Sequence, residues 1–262
     1  ILAALNTKGE TKIIEKNITR DHTEIMLESF GADIAIEKTT SGKIITINGQ
    51  KEMESCNIEV PSDLSSSAFF IVAALINKNS KLLLKNININ PTRDGVLFAL
   101  KKMGGKINFE NKRLINNEVV ADIRVEYSEL NGCDLSDDMA RLMIDEYPIL
   151  SIAASFANSP SVFRGLSELR VKESDRLELI NKNLNKCGVD SEIVGDDLFI
   201  KPKKIYEVND TLIETRFDHR IAMAFTVMSS MIGNLEISES NCINTSFPMF
   251  KKIYNSCGGN IL

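Results

Sequence analysis

Four segments of the chain repeat one pattern: an amphipathic stretch, then a glycine, then a short run in which apolar and polar residues alternate. In the second copy, Val96, Leu97, Leu100 and Met103 have the spacing of one apolar helix face. A glycine directly after such a stretch suits the left-handed residue that ends a helix. The alternating run predicts a strand with one buried face. The four segments are 22–36, 94–109, 175–194 and 247–262, with Gly31, Gly104, Gly188 and Gly258 after the helices.

A second recurring pair, an alanine-rich apolar helix and a strand, precedes each of the last three segments. These helices are apolar on nearly all sides, as a helix inside a domain requires. The pattern therefore predicts an α/β (α+β) fold made of helix-strand-helix-strand-strand units of roughly 70 to 80 residues. Buried helices would pack together with the sheets outside. The predicted pairs are 69–76 with 81–84, 149–156 with 161–163, and 221–232 with 234–237.

The first unit is incomplete at its start and ends with a predicted hairpin, 33–36 with 43–47. After the hairpin, Pro61 interrupts the strand pattern at the beginning of a polar stretch. Proline fixes its own backbone angle and pushes the preceding residue towards extended geometry, so a connection is expected here. We place a domain boundary near this point. An ordinary strand-to-helix loop within one domain is the alternative that the residues leave open.

Composition argues against several classes of function. The chain has 31 Lys and Arg against 36 Asp and Glu, a net charge of −5, whereas nucleic-acid binding calls for a basic face. No apolar run reaches the ~18 residues of a membrane span, so no membrane insertion is expected. The five cysteines are dispersed without a Cys-x-x-Cys pair, which favours a reduced, cytoplasmic setting. With two histidines, neither a histidine-rich metal site nor a Ser-His-Asp hydrolase is expected.

Charged or hydroxyl groups precede all three buried helices. Ser and Asp are common N-caps and Pro148 suits a first turn, so helix capping is one interpretation. Arg220 fits it poorly, because a cation is unfavourable at the positive end of a helix. A bound anion would compensate, since free N–H groups, the helix dipole and a guanidinium all favour one. The three groups are Ser62-Asp63 with 65–67, Asp145-Glu146-Tyr147-Pro148, and Asp218-His219-Arg220.

The densest polar cluster covers residues 168–177, between a predicted strand and the next amphipathic helix. Mixed charges on such a loop are usually a solvated surface. As a site, Lys172 and Arg176 could instead clamp a phosphate or carboxylate while Glu173 transfers a proton. Arg176 would lie one helical turn after Lys172 if the helix starts early, so that both could face one ligand.

Two long motifs in these regions resemble the 5-enolpyruvylshikimate-3-phosphate (EPSP) synthase family. They are Arg-Val-Lys-Glu-Ser-Asp-Arg-Leu at 170–177 and Asp-His-Arg-Ile-Ala-Met-Ala at 218–224, with shorter matches at 19–24, 145–148 and 246–248. The resemblance implies an enolpyruvyl transferase fold of two domains, each of three helix-strand repeats. Residues 1–58 would be the last third of the first domain, and 59–262 nearly all of the second. Because the chain opens at Ile1 on a helix-like segment, we expect an upstream part, without which it would be inactive.

The resemblance also implies a reaction and a set of site residues. The reaction transfers the enolpyruvyl group of phosphoenolpyruvate to the 5-hydroxyl of shikimate 3-phosphate and releases phosphate, with no metal or other cofactor. Asp145 and Glu173 match the catalytic acid and base groups, and Asp145 also matches a ligand of the shikimate hydroxyls. Arg20 and Lys172 match contacts on the shikimate-phosphate side, and Arg176 and Arg220 match the phosphoenolpyruvate clamp. His219, beside Arg220, could supply a hydrogen bond or a proton to the substrate; a structural histidine at a helix start is the alternative. The full-length protein is expected to be a monomer.

Two alternatives remain at this stage. One is the sister enzyme that transfers enolpyruvyl to UDP-N-acetylglucosamine, which uses a cysteine on a glycine-containing loop. None of the five cysteines has that setting, and Cys187 and Cys257 fall on apolar stripes. The other is a non-catalytic repeat scaffold that binds a partner protein. Our prediction separates them: Asp145, Glu173, Arg176 and Arg220 should line one concave face near the N-terminal ends of the buried helices.

Overall fold

A computed structural model describes residues 1–40, 42–203 and 210–261. Within these ranges the chain is mixed helix and sheet, as the repeat predicts. The helices are α1 (Leu2–Leu5), α2 (His22–Ser29), α3 (Leu64–Ile76), α4 (Gly95–Lys102), α5 (Ala140–Met143), α6 (Tyr147–Ser155), α7 (Arg176–Lys186), α8 (His219–Ile232) and α9 (Phe250–Ser256). The strands are β1 (Gly9–Glu15), β2 (Ile34–Lys38), β3 (Lys43–Gly49), β4 (Lys81–Asn88), β5 (Lys106–Ile115), β6 (Glu118–Glu126), β7 (Asp134–Leu135), β8 (Ser161–Phe163), β9 (Asp190–Val194), β10 (Asp197–Lys201), β11 (Thr211–Ile213) and β12 (Leu235–Ile237).

The three apolar helices α3, α6 and α8 pack against one another, which confirms the predicted buried set. Their side chains dominate the larger hydrophobic core, in which Phe69, Ile152 and Phe225 are almost or completely inaccessible to solvent. Helix α3 begins five residues before the predicted apolar run. Asp63 is the reason, because its carboxylate accepts a hydrogen bond from the Ser66 amide at 2.8 Å and caps the helix at Leu64.

The strands form four sheets around these helices. Three strands pair in the order β1-β3-β2 and three in the order β4-β6-β5, all antiparallel. The β2–β3 pairing confirms the predicted hairpin. The third sheet has the order β7-β8-β10-β9, and β11 and β12 form a short parallel pair. Each of the last three sheets thus contains one strand that follows a buried helix.

The outer amphipathic helices end as the sequence predicts, and the last repeat departs from it afterwards. Gly188 follows α7 with a φ of 76° and Gly258 follows α9 with a φ of 99°, a backbone region that favours glycine. A strand follows Gly188, but residues 259–261 form none. There the Asn255 side chain instead binds both backbone groups of Ile261, at 2.8 and 3.1 Å. The predicted strand is therefore wrong as far as Ile261, and Leu262 lies outside the described residues.

The buried apolar side chains of the described residues form two separate hydrophobic cores. A small cluster of Ala4, Ile45 and Ile47 stabilises the β1-β3-β2 sheet, whereas the large core contains buried side chains from Leu64 to Tyr254. Residues 51–61, including Pro61, have no regular secondary structure between the two cores. The division into 1–58 and 59–262 stays a prediction. No helix in the described ranges combines the length and the hydropathy needed to span a membrane.

Candidate active site

Arg176 lies at the centre of a cluster of charges at the N-terminal ends of the buried helices. It is the first residue of α7, and its side chain is completely buried. Its Nε donates to Asp218 at 2.8 Å and its Nη1 donates to Asp145 at 3.1 Å, while Nη2 pairs with Glu173. A buried cation is tolerated only when it is paired and hydrogen-bonded. The guanidinium therefore ties together three segments that are distant in sequence.

Asp145 is the acid at which the cations meet. It lies in a 3₁₀ turn, Ile144–Glu146, directly before α6. One carboxylate oxygen accepts from Arg20 at 3.0 Å, and the other faces Arg176 at 3.1 Å and Lys172 at 3.7 Å. The suggested capping role is wrong, because the N-terminus of α6 has no side-chain cap. The carboxylate is free for these cations instead.

The surrounding charges keep Asp145 ionised. Burial by itself raises the pKa of this carboxyl, but Arg220, the Arg20 hydrogen bond, Lys172 and Arg176 outweigh burial and lower the pKa to about 2. Opposite charges within a few ångströms favour the charged form. Asp145 is thus a carboxylate throughout the physiological pH range while these cations surround it.

An acid titration would detect this arrangement in the stability of the protein. Because the pKa of Asp145 in the folded protein lies below its ordinary value of 3.8, its contribution to stability is present above about pH 4 and is lost as the pH falls towards 2. We expect the difference in unfolding free energy between wild type and Asp145→Asn to shrink by about 1 kcal/mol from about pH 5 to about pH 3. Urea unfolding at both pH values measures it. A difference that stays constant or grows on acidification would contradict the depressed pKa.

Arg220 lies in the first turn of α8, where the sequence suggested that a bound anion offsets its charge. The protein itself provides the compensation. Asp218 caps the helix by accepting from the Arg220 amide at 2.9 Å, and the Arg220 Nη1 lies 3.5 Å from the Glu146 carboxylate. Nη1 also donates to the Asp145 carbonyl oxygen at 3.1 Å. These contacts hold the guanidinium beside Asp145.

Lys172, Glu173 and His219 complete this part of the cluster. Lys172 lies after the 3₁₀ segment Ser167–Val171 and before α7, so the expectation of one continuous helical turn with Arg176 is wrong. Both side chains nevertheless face Asp145, because the chain bends between the two elements. Glu173 is about half exposed. His219 is the first residue of α8, and burial together with the neighbouring Arg220 lowers its pKa.

Arg20 reaches this cluster from the small β1-β3-β2 unit. It lies two residues before the start of α2, and a second set of contacts fixes this segment against the larger core. Asn90 donates to Asp21 at 2.7 Å, and His22 pairs with Glu118 on β6. Arg20 and Asp145 are 125 positions apart in sequence. Contacts therefore join six of the seven predicted site residues, and the seventh, His219, is next to Arg220 at the start of α8.

Sequence reasoning missed Arg93, and it noted Ser65 only as one of the hydroxyl groups before a buried helix. Both residues lie beside the cluster. Arg93 donates to the Ser65 hydroxyl at 2.7 Å and to the Asp63 carboxylate at 3.1 Å. One signal could have identified Arg93. Thr92-Arg93-Asp94 precedes α4 in the same way that Thr19-Arg20-Asp21 precedes α2. The repeat thus places an arginine at matching positions in two units.

A family profile described as EPSP synthase (3-phosphoshikimate 1-carboxyvinyltransferase) matches residues 1–253, nearly the whole chain. The chain belongs to the EPSP synthase family. Two curated relatives named 3-phosphoshikimate 1-carboxyvinyltransferase illustrate the match. The protein of Paramagnetospirillum magneticum is 44% identical over 100% of this chain and 59% of its own length. That of Petrotoga mobilis is 46% identical over 97% of this chain and 58% of its own length.

Solved structures support the same conclusion. The EPSP synthase of Acinetobacter baumannii superposes with a TM-score of 0.91 and 38% identity, covering 99% of this chain and 59% of that one. The enolpyruvyl transferase NikO of Streptomyces tendae has a TM-score of 0.75 at 14% identity, covering 99% and 58%, and shows a shared fold. The predicted enolpyruvyl transferase fold is therefore confirmed. This chain spans somewhat less than three fifths of the length of these relatives.

The cysteines of this chain give a test against a thiol-based mechanism. Burial raises the pKa of Cys133 to about 11 and that of Cys187 to about 12, so both are poor nucleophiles. Cys56 and Cys257 are exposed; the prediction that Cys257 belongs to an apolar stripe is therefore wrong. We expect Cys56 and Cys257 to react with DTNB in the folded protein, and Cys133 and Cys187 only after unfolding. Rapid modification of all thiols in native buffer would contradict this burial.

Proposed function

We propose that this chain provides a large part of an active site that transfers the enolpyruvyl group of phosphoenolpyruvate to the 5-hydroxyl of shikimate 3-phosphate, with release of phosphate. One observation carries the proposal: a single ionised carboxylate, Asp145, lies where Arg20, Lys172 and Arg176 converge. The names of the curated relatives support the same substrates. A non-catalytic scaffold gives no reason for buried charges to meet in this way.

The reaction is an addition followed by an elimination, and it needs proton transfer at two positions. Addition requires a base at the attacking hydroxyl and an acid at the methylene carbon of phosphoenolpyruvate. Asp145, which accepts hydrogen bonds through both oxygens, suits the first role. Glu173 is more exposed, contacts Arg176, and suits the second. In the elimination, Glu173 takes a proton back from the methyl group, the carbon–carbon double bond reforms, and the bond from the central carbon to the phosphate oxygen breaks. Phosphate leaves with the bonding electron pair and can accept the proton that Asp145 took from the hydroxyl.

The cations divide between the two substrates in this proposal. Arg20 and Lys172 bind the shikimate 3-phosphate side, and Arg176 with Arg220 binds the carboxylate and phosphate of phosphoenolpyruvate. Planar guanidinium groups suit such anions because they donate two parallel hydrogen bonds. His219, beside Arg220 at the start of α8, supports the ligand through a hydrogen bond. No metal or organic cofactor has a role in this chemistry.

Substrate binding would also change the basicity of Asp145. In the structure, Arg20 donates to this carboxylate at 3.0 Å, and the cations lower its pKa to about 2. A carboxylate so stabilised is a weak base. If the shikimate phosphate draws Arg20 and Lys172 away, Asp145 loses part of this stabilisation and its pKa rises. The substrate would thereby prepare the base that deprotonates its own hydroxyl.

The proposal extends to the organisation of the protein. Residues 1–58 belong to one domain and residues 59–262 to a second, and the cluster around Asp145 lies where the two meet. Arg20, contributed by the first part, supports this division because it reaches across to Asp145. We further propose that the complete protein acts as a cytoplasmic monomer. Its partners would be the two small substrates, with neither nucleic acid nor membrane involved.

Phosphate release is the test of the proposed function. The complete natural protein should release phosphate from phosphoenolpyruvate only when shikimate 3-phosphate is also present, and mass spectrometry should show the enolpyruvyl ether as the organic product. Shikimate without the 3-phosphate is the matched control and should support little turnover. If phosphate were released with UDP-N-acetylglucosamine but not with shikimate 3-phosphate, the proposal would be rejected. The sister enzyme's transfer to UDP-N-acetylglucosamine would then be the better assignment.

A further inference from the structure

A second chain of polar contacts lies behind the cluster, at the N-terminal ends of α3, α6 and α8. Glu146 is its centre, with a side chain only 4% exposed. Its carboxylate accepts a hydrogen bond from Ser65 and lies 3.5 Å from Nη1 of Arg220. Ser65 in turn accepts from Arg93 at 2.7 Å. Arg93, Ser65 and Glu146 thus connect the start of α4 to the guanidinium of Arg220.

The hydrogen bonds of Arg220 leave part of its guanidinium available to a ligand. Among the described residues, only Nη1 is engaged, by the Asp145 carbonyl at 3.1 Å and by Glu146 at 3.5 Å. Nε and Nη2 can therefore bind an anion through two hydrogen bonds. An arginine side chain has many rotamers, and fixing one end selects those that direct the other end correctly. Glu146 is placed to make this selection.

We propose that Glu146, held by Ser65 and Arg93, is a positioning residue that orients Arg220 towards phosphoenolpyruvate. The inference rests on the proposed function, in which Arg220 binds that substrate. The arrangement fits because a buried carboxylate needs hydrogen-bond donors, and Ser65 and Arg220 provide them from two different helices. Arg93 fixes Ser65, and the Asp63 carboxylate at 3.1 Å from Arg93 fixes Arg93. Asp63 thus fixes Arg93, Arg93 fixes Ser65, and Ser65 fixes Glu146 beside Arg220.

Two variants of the complete natural protein test this role. Glu146→Gln keeps the size of the side chain but replaces one carboxyl oxygen with an amide nitrogen, which cannot accept a hydrogen bond. Arg93→Met removes the support of Ser65. Both should raise the KM for phosphoenolpyruvate by about tenfold, and the KM for shikimate 3-phosphate should stay within about twofold of wild type. Glu110→Gln is the matched control, because Glu110 also pairs with an arginine, Arg124 at 3.0 Å, on the outer sheet. It should leave both constants unchanged.

A double-mutant cycle distinguishes positioning from a general loss of structure. If Glu146 acts through Arg220, Glu146→Gln added to Arg220→Lys should cost no further phosphoenolpyruvate affinity. Additive losses, or equal rises in KM for both substrates, would overturn the inference while the proposed function stands. A wild-type protein that releases no phosphate with shikimate 3-phosphate would overturn both. An unchanged phosphoenolpyruvate KM in active Glu146→Gln would overturn the inference alone.

Discussion

Replacing Asp145 with Asn is expected to lower kcat by about 10²- to 10⁴-fold, the range that removal of a general base produces. The amide is nearly the same size and still accepts hydrogen bonds through one oxygen, but it cannot take the proton of the 5-hydroxyl. The substitution weakens the contacts with Arg20 at 3.0 Å and Arg176 at 3.1 Å, but it leaves no cavity because the side chain keeps its size. Steady-state phosphate release by the complete natural protein, with both substrates saturating, measures the effect.

Asp134→Asn is the matched control for this prediction. Asp134 also pairs with an arginine, Arg164 at 2.7 Å, but it lies on β7 and is mostly exposed. Exposed pairs of this kind contribute little to stability. We expect the control to keep wild-type turnover. If Asp145→Asn retained kcat within about threefold of wild type, the assignment of Asp145 as the base would be wrong.

Replacing Arg176 with Met is expected to lower the free energy of unfolding by about 3–5 kcal/mol and to abolish most activity. The buried guanidinium compensates Asp218, which is itself completely buried and 2.8 Å from Nε. Without the guanidinium, Asp218 still accepts hydrogen bonds from the Ser174 hydroxyl at 2.9 Å and from backbone amides at the start of α8. It loses the cation that lies 2.8 Å away in the wild type. An uncompensated buried carboxylate explains why the loss should be so large. Urea unfolding followed by circular dichroism measures it.

Two further variants make the Arg176 prediction specific. Arg176→Lys should recover little of the stability, because one ammonium cannot reproduce a planar group that binds three carboxylates in different directions. Arg124→Met, which breaks a partly exposed pair with Glu110 on the outer sheet, should lower the free energy of unfolding far less than Arg176→Met does. Arg176→Met with unfolding energy near that of wild type would show that the buried network does not stabilise the fold.

The fold was largely predictable because its signals are local. Segments that are apolar on nearly all sides identified α3, α6 and α8. Glycines that follow an apolar helix face located the ends of the outer helices. The failure came at residues 259–261, where Asn255 binds the backbone of Ile261 and no strand partner is present among the described residues. Short alternating runs at a chain end predict strands poorly, since pairing depends on a neighbour that the local sequence does not specify.

The candidate site was predictable only in part. Motif resemblance selected Arg20, Asp145 and Arg220, but the contacts that join them connect residues more than 70 positions apart. The sequence therefore could not show that carboxylates of the protein itself compensate Arg220, nor that Asp145 pairs with Arg20. Arg93 was missed because it lies in no recognised motif. Its match to Arg20 becomes meaningful only when the two repeat units are compared.

The central claim is that Asp145 exchanges its cation partners for substrate at a site shared by both parts of the chain. A crystal structure of the complete natural protein with shikimate 3-phosphate tests this claim most directly. The account predicts the phosphate on Arg20 and Lys172, and the 5-hydroxyl about 2.6–3.2 Å from the Asp145 carboxylate. A ligand bound elsewhere, with Arg20 still paired to Asp145, would contradict it.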